Sequence, residues 1–384
     1  MKKKILFIIS TMESGGVSKS ISTLLNVIDA NRFEIDVLIL NPTGVFMKLL
    51  PNTISIISDV KTQLFFSKFP HNLILLLKKG YFFAAVLRLF AAIVMIFNKG
   101  IGGKILSKGI IKISKKYDLA VDYNGQHQLY YLVDFINAKV KVSFFHSDYS
   151  KWAYYYFMDK KYYPKVDKIY TISEICVQSL KKYFPSQAVK IDLFENISSL
   201  NVMERLAEAP IELMPANAIV TVGHLVERKG TLLALECAVM LKKSGLDFKW
   251  YFVGQNTHDH DYVGFVQKYG LQENIVFVGV TSNPYPYLKK ATIIVHTSYF
   301  EGKSIALDEA KLFCKPIVVT NFSTVNDQFQ HHYNAVISPF DSAVIAKNVI
   351  DLLTDKNLQK LYHGHLKKDT KSNENEIEKL YRLI

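Results

Sequence analysis

Residues 218–243 read AIVTVGHLVERKGTLLALECAVMLKK. The run Ala218–Gly223 is apolar and rich in β-branched residues, which is the signature of a buried strand. A polar loop bounded by Gly223 and Gly230 follows, and Thr231–Lys243 then carries apolar residues at helical spacing. A strand with no polar face, a short loop and a helix together make one unit of a parallel sheet covered on both sides.

The same unit recurs outward in both directions. Towards the carboxyl end, Phe248–Gly254, Ile275–Gly279, Thr292–Thr297 and Pro316–Thr320 read as strands, and Tyr262–Tyr269, Ser304–Phe313 and Ser342–Leu353 as helices. Towards the amino end, Lys4–Ile9, Glu34–Leu40, Leu119–Asp122, Val140–Phe145, Lys168–Thr171 and Val189–Phe194 read as strands, with Val17–Ile28 and Ile175–Tyr183 as helices. This alternation predicts two doubly wound α/β domains. The polar, proline-bearing stretch after Phe194 sets the boundary, giving domains over 1–196 and 197–366. Residues 367–384 read as a polar loop, Lys367–Asn375, and a charged amphipathic helix, Glu376–Ile384, that packs back on the first domain.

A chain of 384 residues with 49% hydrophobic side chains can bury two cores. The excess of 47 basic over 34 acidic side chains, +13, favours anionic partners. No zinc-finger spacing, RGG tract or aromatic RNP motif accompanies it, so no nucleic-acid partner is expected. Cys176, Cys237 and Cys314 are odd in number and far apart, which argues for a reducing cytoplasm and against a disulfide framework or metal spacing. The apolar run Ile5–Ile9 is too short for a signal peptide. From Phe65 to Ile113 the chain is very apolar and has Lys, Arg and His but no Asp or Glu. Its longest apolar run, Phe82–Phe97, is 16 residues and contains Arg88, short of the ~20 needed to span a bilayer. A helix lying in the interface of an anionic membrane is expected, the alternative being a helix pair buried in a large core.

Ligands of open α/β sheets bind beyond the carboxyl ends of the strands. Three loops there carry chemistry. Thr11-Met12-Glu13-Ser14-Gly15-Gly16-Val17-Ser18-Lys19 lets backbone approach a ligand and opens a helix whose amino end favours an anion. It is not GxGxxG, so support for a nicotinamide dinucleotide is lost. In Gly223–Gly230, adjacent Arg228 and Lys229 at the start of a helix oppose the macrodipole, and a bound diphosphate would relieve that. In Phe300-Glu301-Gly302-Lys303-Ser304-Ile305-Ala306-Leu307-Asp308-Glu309, the Ser304, Ile305 and Ala306 amides can donate to ligand oxygens. Glu309 lies about 7.5 Å further along that helix, where its carboxylate can accept ribose hydroxyls, while Glu301 in the loop can meet the sugar.

At these residues the chain resembles the retaining glycosyltransferases of the GT-B fold (family 4, group 1), of the bacterial surface-polysaccharide type. The likeness rests on Glu301 and Glu309 with seven residues between them, the glycine pair, the G-x-L-x-x-x-K-G loop, the strand ends Phe252-Val253-Gly254 and Phe277-Val278-Gly279, and His146. It implies two Rossmann-like domains facing a cleft. It also implies transfer of a sugar, with retention, from a nucleotide diphosphate sugar (by family habit a UDP-sugar) to a saccharide. The acceptor is expected to be lipid-linked, in capsule, exopolysaccharide or teichoic acid synthesis at the inner face of the cytoplasmic membrane. No cofactor or metal is implied. Glu301, His146 and Lys229 take catalytic roles, and Gly15, Gly16, His224, Arg228, Lys229, Gly254, Ser304, Ile305 and Glu309 bind the donor. Two departures stand out. His224 occupies a position where the family has arginine, and Ser18-Lys19 stand where it often has Glu-Arg.

Two other readings remain open at this stage. A non-catalytic GT-B-like partner subunit would have no need of both motif glutamates, and a sugar-nucleotide epimerase would need no acceptor. Asp259-His260-Asp261, His331-His332 and His363-Gly364-His365 lack further converging ligands and are read as surface residues.

Overall fold

The computed structural model describes residues 2–13, 15–257, 259–301 and 303–384. Ser14 and Gly302, quoted above with their loops, lie outside the described residues. The chain divides into two compact units, 1–197 with 374–384, and 198–373.

The first unit holds β1 (Lys3–Ile9), β2 (Phe33–Ile39), β3 (Ser55–Ile57), β4 (Tyr117–Asp122), β5 (Ala138–Phe145), β6 (Lys168–Thr171) and β7 (Ile191–Leu193). They form one sheet in the order β3-β2-β1-β4-β5-β6-β7, and the pairings are parallel. The second unit holds β8 (Ala218–Val222), β9 (Lys249–Val253), β10 (Ile275–Gly279), β11 (Ile293–His296), β12 (Ile317–Thr320) and β13 (Val336–Ser338). Their order is β10-β9-β8-β11-β12-β13, again parallel. In each sheet the first strand is central and the order reverses beside it, between β1 and β4 and between β8 and β11.

Alternate side chains of a strand face opposite ways, and both faces are buried here. Ile5, Phe7 and Ile9 enter one core while Leu6 and Ile8 enter the other. In the second unit Trp250 and Phe252 face one core, and Tyr251 and Val253 the opposite one. This is why the strands read as continuous apolar runs.

Three details differ from the sequence reading. The strands β3 and β13 were not anticipated; each has only three residues and lies at a sheet edge. The helix Lys356–Asp369 continues through residues expected to be a loop. Buried Leu366 anchors its last turn, and Lys367 and Lys368 suit a helix carboxyl end. The second unit therefore extends to Asn373. The carboxyl-terminal helix is shorter than expected, a 3-10 turn Glu374–Ile377 followed by Glu378–Tyr381.

That last segment completes the core of the first unit. Tyr381 stacks on Phe33 with ring centroids 4.6 Å apart, Arg32 lies over the Tyr381 ring at 4.9 Å, and the Asp29 amide donates to the Tyr381 hydroxyl at 2.9 Å. Tyr381→Ala is expected to cost about 3 kcal/mol in denaturant unfolding of the full chain, by loss of buried aromatic area.

Between β3 and β4 stand four helices, Val60–Phe66, His71–Lys78, Phe82–Phe97 and Lys99–Ser107, around a small core of Phe65, Leu76, Ala85, Ala91 and Leu106. The helix Phe82–Phe97 is not buried in a large core. It exposes Phe82, Phe83, Val86, Leu89, Phe90, Ile93, Ile96 and Phe97 along one face, with Phe83 88% and Phe97 85% exposed. Its one charged residue turns inward: Arg88 Nε donates to the Phe65 carbonyl at 3.1 Å, and the guanidinium lies 5.1 Å from the Phe69 ring centre. Among the described residues no helix is long and apolar enough to cross a membrane.

Candidate active site

The loops after β8 and β11 leave the same edge of the second sheet from adjacent strands, at its switch point. They are tied together by backbone acceptors. Thr297 Oγ1 donates to the Gly230 carbonyl at 2.8 Å, Ser298 Oγ to the Arg228 carbonyl at 3.2 Å, and the Tyr299 amide to the same carbonyl at 3.0 Å. Gly230 has φ +65°, and a Cβ there would lie 1.9 Å from the Thr297 carbonyl oxygen. Only glycine meets both conditions. At Gly254 a Cβ would lie 1.9 Å from the Gly223 carbonyl oxygen, so this glycine holds the ends of β8 and β9 together.

This stapling brings two predicted residues into contact. Lys229 Nζ donates to Glu301 Oε1. His296, the last residue of β11, reaches the same oxygen through Nε2 at 2.9 Å. A ring nitrogen that faces an ionised carboxylate carries the proton, so His296 is the Nε2–H tautomer. Burial pushes the Glu301 carboxyl up, but His296 and Lys229 outweigh it and hold the group at about 2. Burial lowers His296 despite the neighbouring carboxylate. The arrangement is a lysine cation, a glutamate anion and a neutral histidine. Thr324 Oγ1 donates to the Glu301 carbonyl at 2.9 Å and fixes the backbone.

Arg228 is exposed, and with Lys229 it occupies a 3-10 turn, Glu227–Lys229, just ahead of the helix Thr231–Lys243 and not within its first turn. His224 lines a recess with Lys229, His296 and Thr297. Burial, and then the charges of Lys229 and Arg228, lower its pKa. His224 is therefore neutral near pH 7 and does not replace the positive charge of an arginine.

Glu309 is buried in the helix Ile305–Leu312 and accepts from the Tyr285 hydroxyl at 2.8 Å. The Ser304 amide, expected to be open to a ligand, is taken: it donates to Gln328 Oε1 at 3.1 Å. Gln328 Nε2 donates back to the Ser304 carbonyl at 3.1 Å and to Asp308 Oδ1 at 2.9 Å. Gln328 thus closes the start of this helix from both sides. A ligand at that amide has to displace it. Ile305 is the first residue of the helix.

Gly15, Gly16 and His146 belong to the first unit and are not part of this cluster. Gly16 opens the helix Gly16–Val27, and a Cβ at Gly15 would meet nothing within 4 Å, so packing does not require that glycine. His146 lies against Tyr123, ring centroids 4.7 Å apart, and its ring donates to the Tyr123 backbone. Its Nε2 is buried without a partner among the described residues. Burial, against that bond, lowers its pKa to about 4, so Nε2 is a neutral acceptor.

Asp259 accepts from the Glu227 amide at 2.6 Å and from Tyr262, and Asp261 accepts from the Gly264 amide at 2.8 Å. Both carboxylates serve the local fold. Sequence reasoning missed His296, Gln328 and Tyr285. A histidine ending a buried strand five residues before Glu301 was a usable signal; Gln328 and Tyr285 reach the site from other loops and gave none.

Residues 206–368 match the family model of glycosyl transferases group 1. The chain is 20% identical over 262 residues to an uncharacterised glycosyltransferase of Methanocaldococcus jannaschii, covering 59% of this chain and 64% of that one. It is 23% identical over 212 residues to the N-acetylgalactosamine-N,N'-diacetylbacillosaminyl-diphospho-undecaprenol 4-alpha-N-acetylgalactosaminyltransferase of Campylobacter jejuni, covering 55% and 57%. It thus spans less than two thirds of the length of these relatives. The solved structure of Anabaena HepE with UDP superposes with a TM-score of 0.65 at 14% identity, over 99% of this chain and 98% of that one. The fold is GT-B. In GT-B terms, β8 and β11 are the central strands of the second Rossmann-like domain, and the Lys229–Glu301 pair lies at their carboxyl ends.

Proposed function

We propose that the protein is a retaining glycosyltransferase that moves a sugar from a UDP-sugar to a lipid-linked saccharide in bacterial surface-polysaccharide synthesis. The observation that carries this reading is the Lys229–Glu301–His296 cluster at the switch point of a GT-B nucleotide-binding sheet. A cation is held beside an anion whose other contacts are hydrogen-bond donors. A diphosphate competes for Lys229, and a sugar hydroxyl can donate to Glu301. The HepE complex with UDP supports the nucleotide. The diphospho-undecaprenol acceptor named for the Campylobacter relative supports the lipid-linked class.

In the proposed reaction the bond from the anomeric carbon to the diphosphate breaks. The acceptor oxygen forms the new bond on the same face and gives its proton to a phosphate oxygen. Lys229 and Arg228 stabilise the departing charge. Glu309 takes the ribose hydroxyls, and His146 accepts from a hydroxyl of the donor sugar. No cofactor is invoked, and added Mg2+ or a chelator is expected to leave turnover unchanged. The acid-free segment with its exposed apolar helix is proposed to hold the enzyme on the inner face of the membrane.

Thermal unfolding with a panel of nucleotides and nucleotide sugars tests the reading. A ligand at about 100 times its Kd adds roughly 2.7 kcal/mol of stability. UDP and one UDP-sugar are expected to raise Tm, and the same sugar is expected to release UDP only with a lipid-linked saccharide present. A panel in which no nucleotide raises Tm sinks the proposal; release without acceptor favours an epimerase or hydrolase.

A further inference from the structure

We propose that the recess flanked by Lys61 and Lys108 binds the phosphate of one anionic phospholipid, whose acyl chains lie along the exposed face of Phe82–Phe97. This rests on the reading that the segment meets a bilayer, and adds to it a defined headgroup site. Tyr81, Phe82, Phe83 and Leu87 line the recess with the two lysines. Gly109 is packed so closely on the Phe65 ring that a Cβ would come within 2.4 Å, which draws the turn bearing Lys108 down onto the helices.

The two lysines are not neutralised locally. Between Asp59 and Asp118 the chain has no acidic residue. Asp59 itself is engaged at the start of the helix Val60–Phe66, accepting from the Thr62 amide at 3.0 Å and the Thr62 hydroxyl at 2.5 Å. Among the described residues no carboxylate pairs with Lys61 or Lys108. Charge at one end and an unbroken apolar face beyond it match a phosphate joined to hydrocarbon.

Surface helices normally turn charge outward and apolar residues inward. Here Arg88 faces the protein and the phenylalanines face away. An apolar patch of this kind needs an occupant. A second copy of the chain would set the same positive segment against itself. An anionic leaflet satisfies both the apolar face and the charge.

The test is co-sedimentation of the full chain with vesicles of phosphatidylcholine alone, with added phosphatidylglycerol, and with added oleate at equal negative charge. Binding is expected with phosphatidylglycerol and at least ~10-fold weaker with oleate, whose carboxylate sits directly on its acyl chain and does not stand out from the bilayer to reach between two lysines as a phosphate headgroup does. Lys61→Ala with Lys108→Ala is compared with Lys78→Ala with Lys79→Ala, which removes equal charge from exposed positions. The recess pair is expected to lose at least ~10-fold more affinity than the control pair, whose loss measures the attraction of any surface lysine to an anionic membrane. Equal losses overturn the headgroup site while leaving the membrane reading. Absence of binding to every vesicle overturns both, as does self-association in sedimentation velocity that Phe83→Asp removes. Thermal stabilisation by UDP, measured on the same variants, is expected to match the parent. It reports on the second unit and separates failure here from failure of the glycosyltransferase reading.

Discussion

Lys229→Ala is expected to lower nucleotide-sugar turnover by about 100- to 1,000-fold, the range for removing one group that stabilises charge in a transition state. Two effects combine. The proposed diphosphate loses the Lys229 cation, and Glu301 is left buried with the neutral His296 ring on Oε1. Leaving a buried group short of a partner costs about 1–3 kcal/mol of stability, so Tm falls as well. The pH dependence separates the two. In the parent protein the Glu301 carboxyl is held at about 2, below its unfolded value of ~4.3. A carboxyl depressed in this way stabilises the fold fully above the unfolded pKa, and that contribution is lost as pH falls from ~4.3 towards about 2. Without Lys229 the carboxyl titrates higher, so acid unfolding begins at a higher pH than in the parent. Full turnover in the alanine variant removes Lys229 from the site. Lost turnover with an unchanged acid limb breaks the link to Glu301.

Gly230→Ala is the second large effect. The left-handed φ of +65° costs a non-glycine residue about 1–2 kcal/mol. The clash with the Thr297 carbonyl adds about 1–3 kcal/mol of overpacking. The expected loss is therefore roughly 3 kcal/mol, read from denaturant unfolding. The loop carrying Arg228 and Lys229 also shifts away from β11, so stabilisation by UDP should vanish even in the fraction that remains folded. Gly245→Ala, at a position with open space and a φ of +76°, is the control. It carries the backbone strain without the clash. Equal losses in the two variants rule out the Thr297 contact as the cause.

Both predictions concern loops that were legible in the sequence, because a buried strand ends where its apolar run ends. Ala218–Val222 and Ile293–His296 announce themselves through branched aliphatic side chains, and the residues just beyond them are the ones the sheet delivers to its edge. Lys229 and Glu301 could thus be assigned to neighbouring strand ends. Their direct bond was not legible, because it depends on Gly230 and Thr297 bringing two backbones together. Gln328 was invisible for a related reason: it meets Ser304 from a separate loop 24 residues on. The edge strand Ser55–Ile57 carries too little burial to leave a pattern. The direction of Arg88 also escaped, since a lone arginine in an apolar helix reads the same whether it faces solvent or protein.

Residues 374–384 give the two units an unusual order of assembly. Residues 198–373 are contiguous and can fold as soon as they have been synthesised. The first unit is completed only later, because Ile377, Leu380 and Tyr381 belong to its core and are made after the whole second unit. Phe33 lacks its Tyr381 partner throughout the synthesis of the second unit. During that interval the nascent chain presents an apolar surface to chaperones, and a chain cut short before Ile377 would carry a complete second unit beside a first unit whose core lacks Ile377, Leu380 and Tyr381.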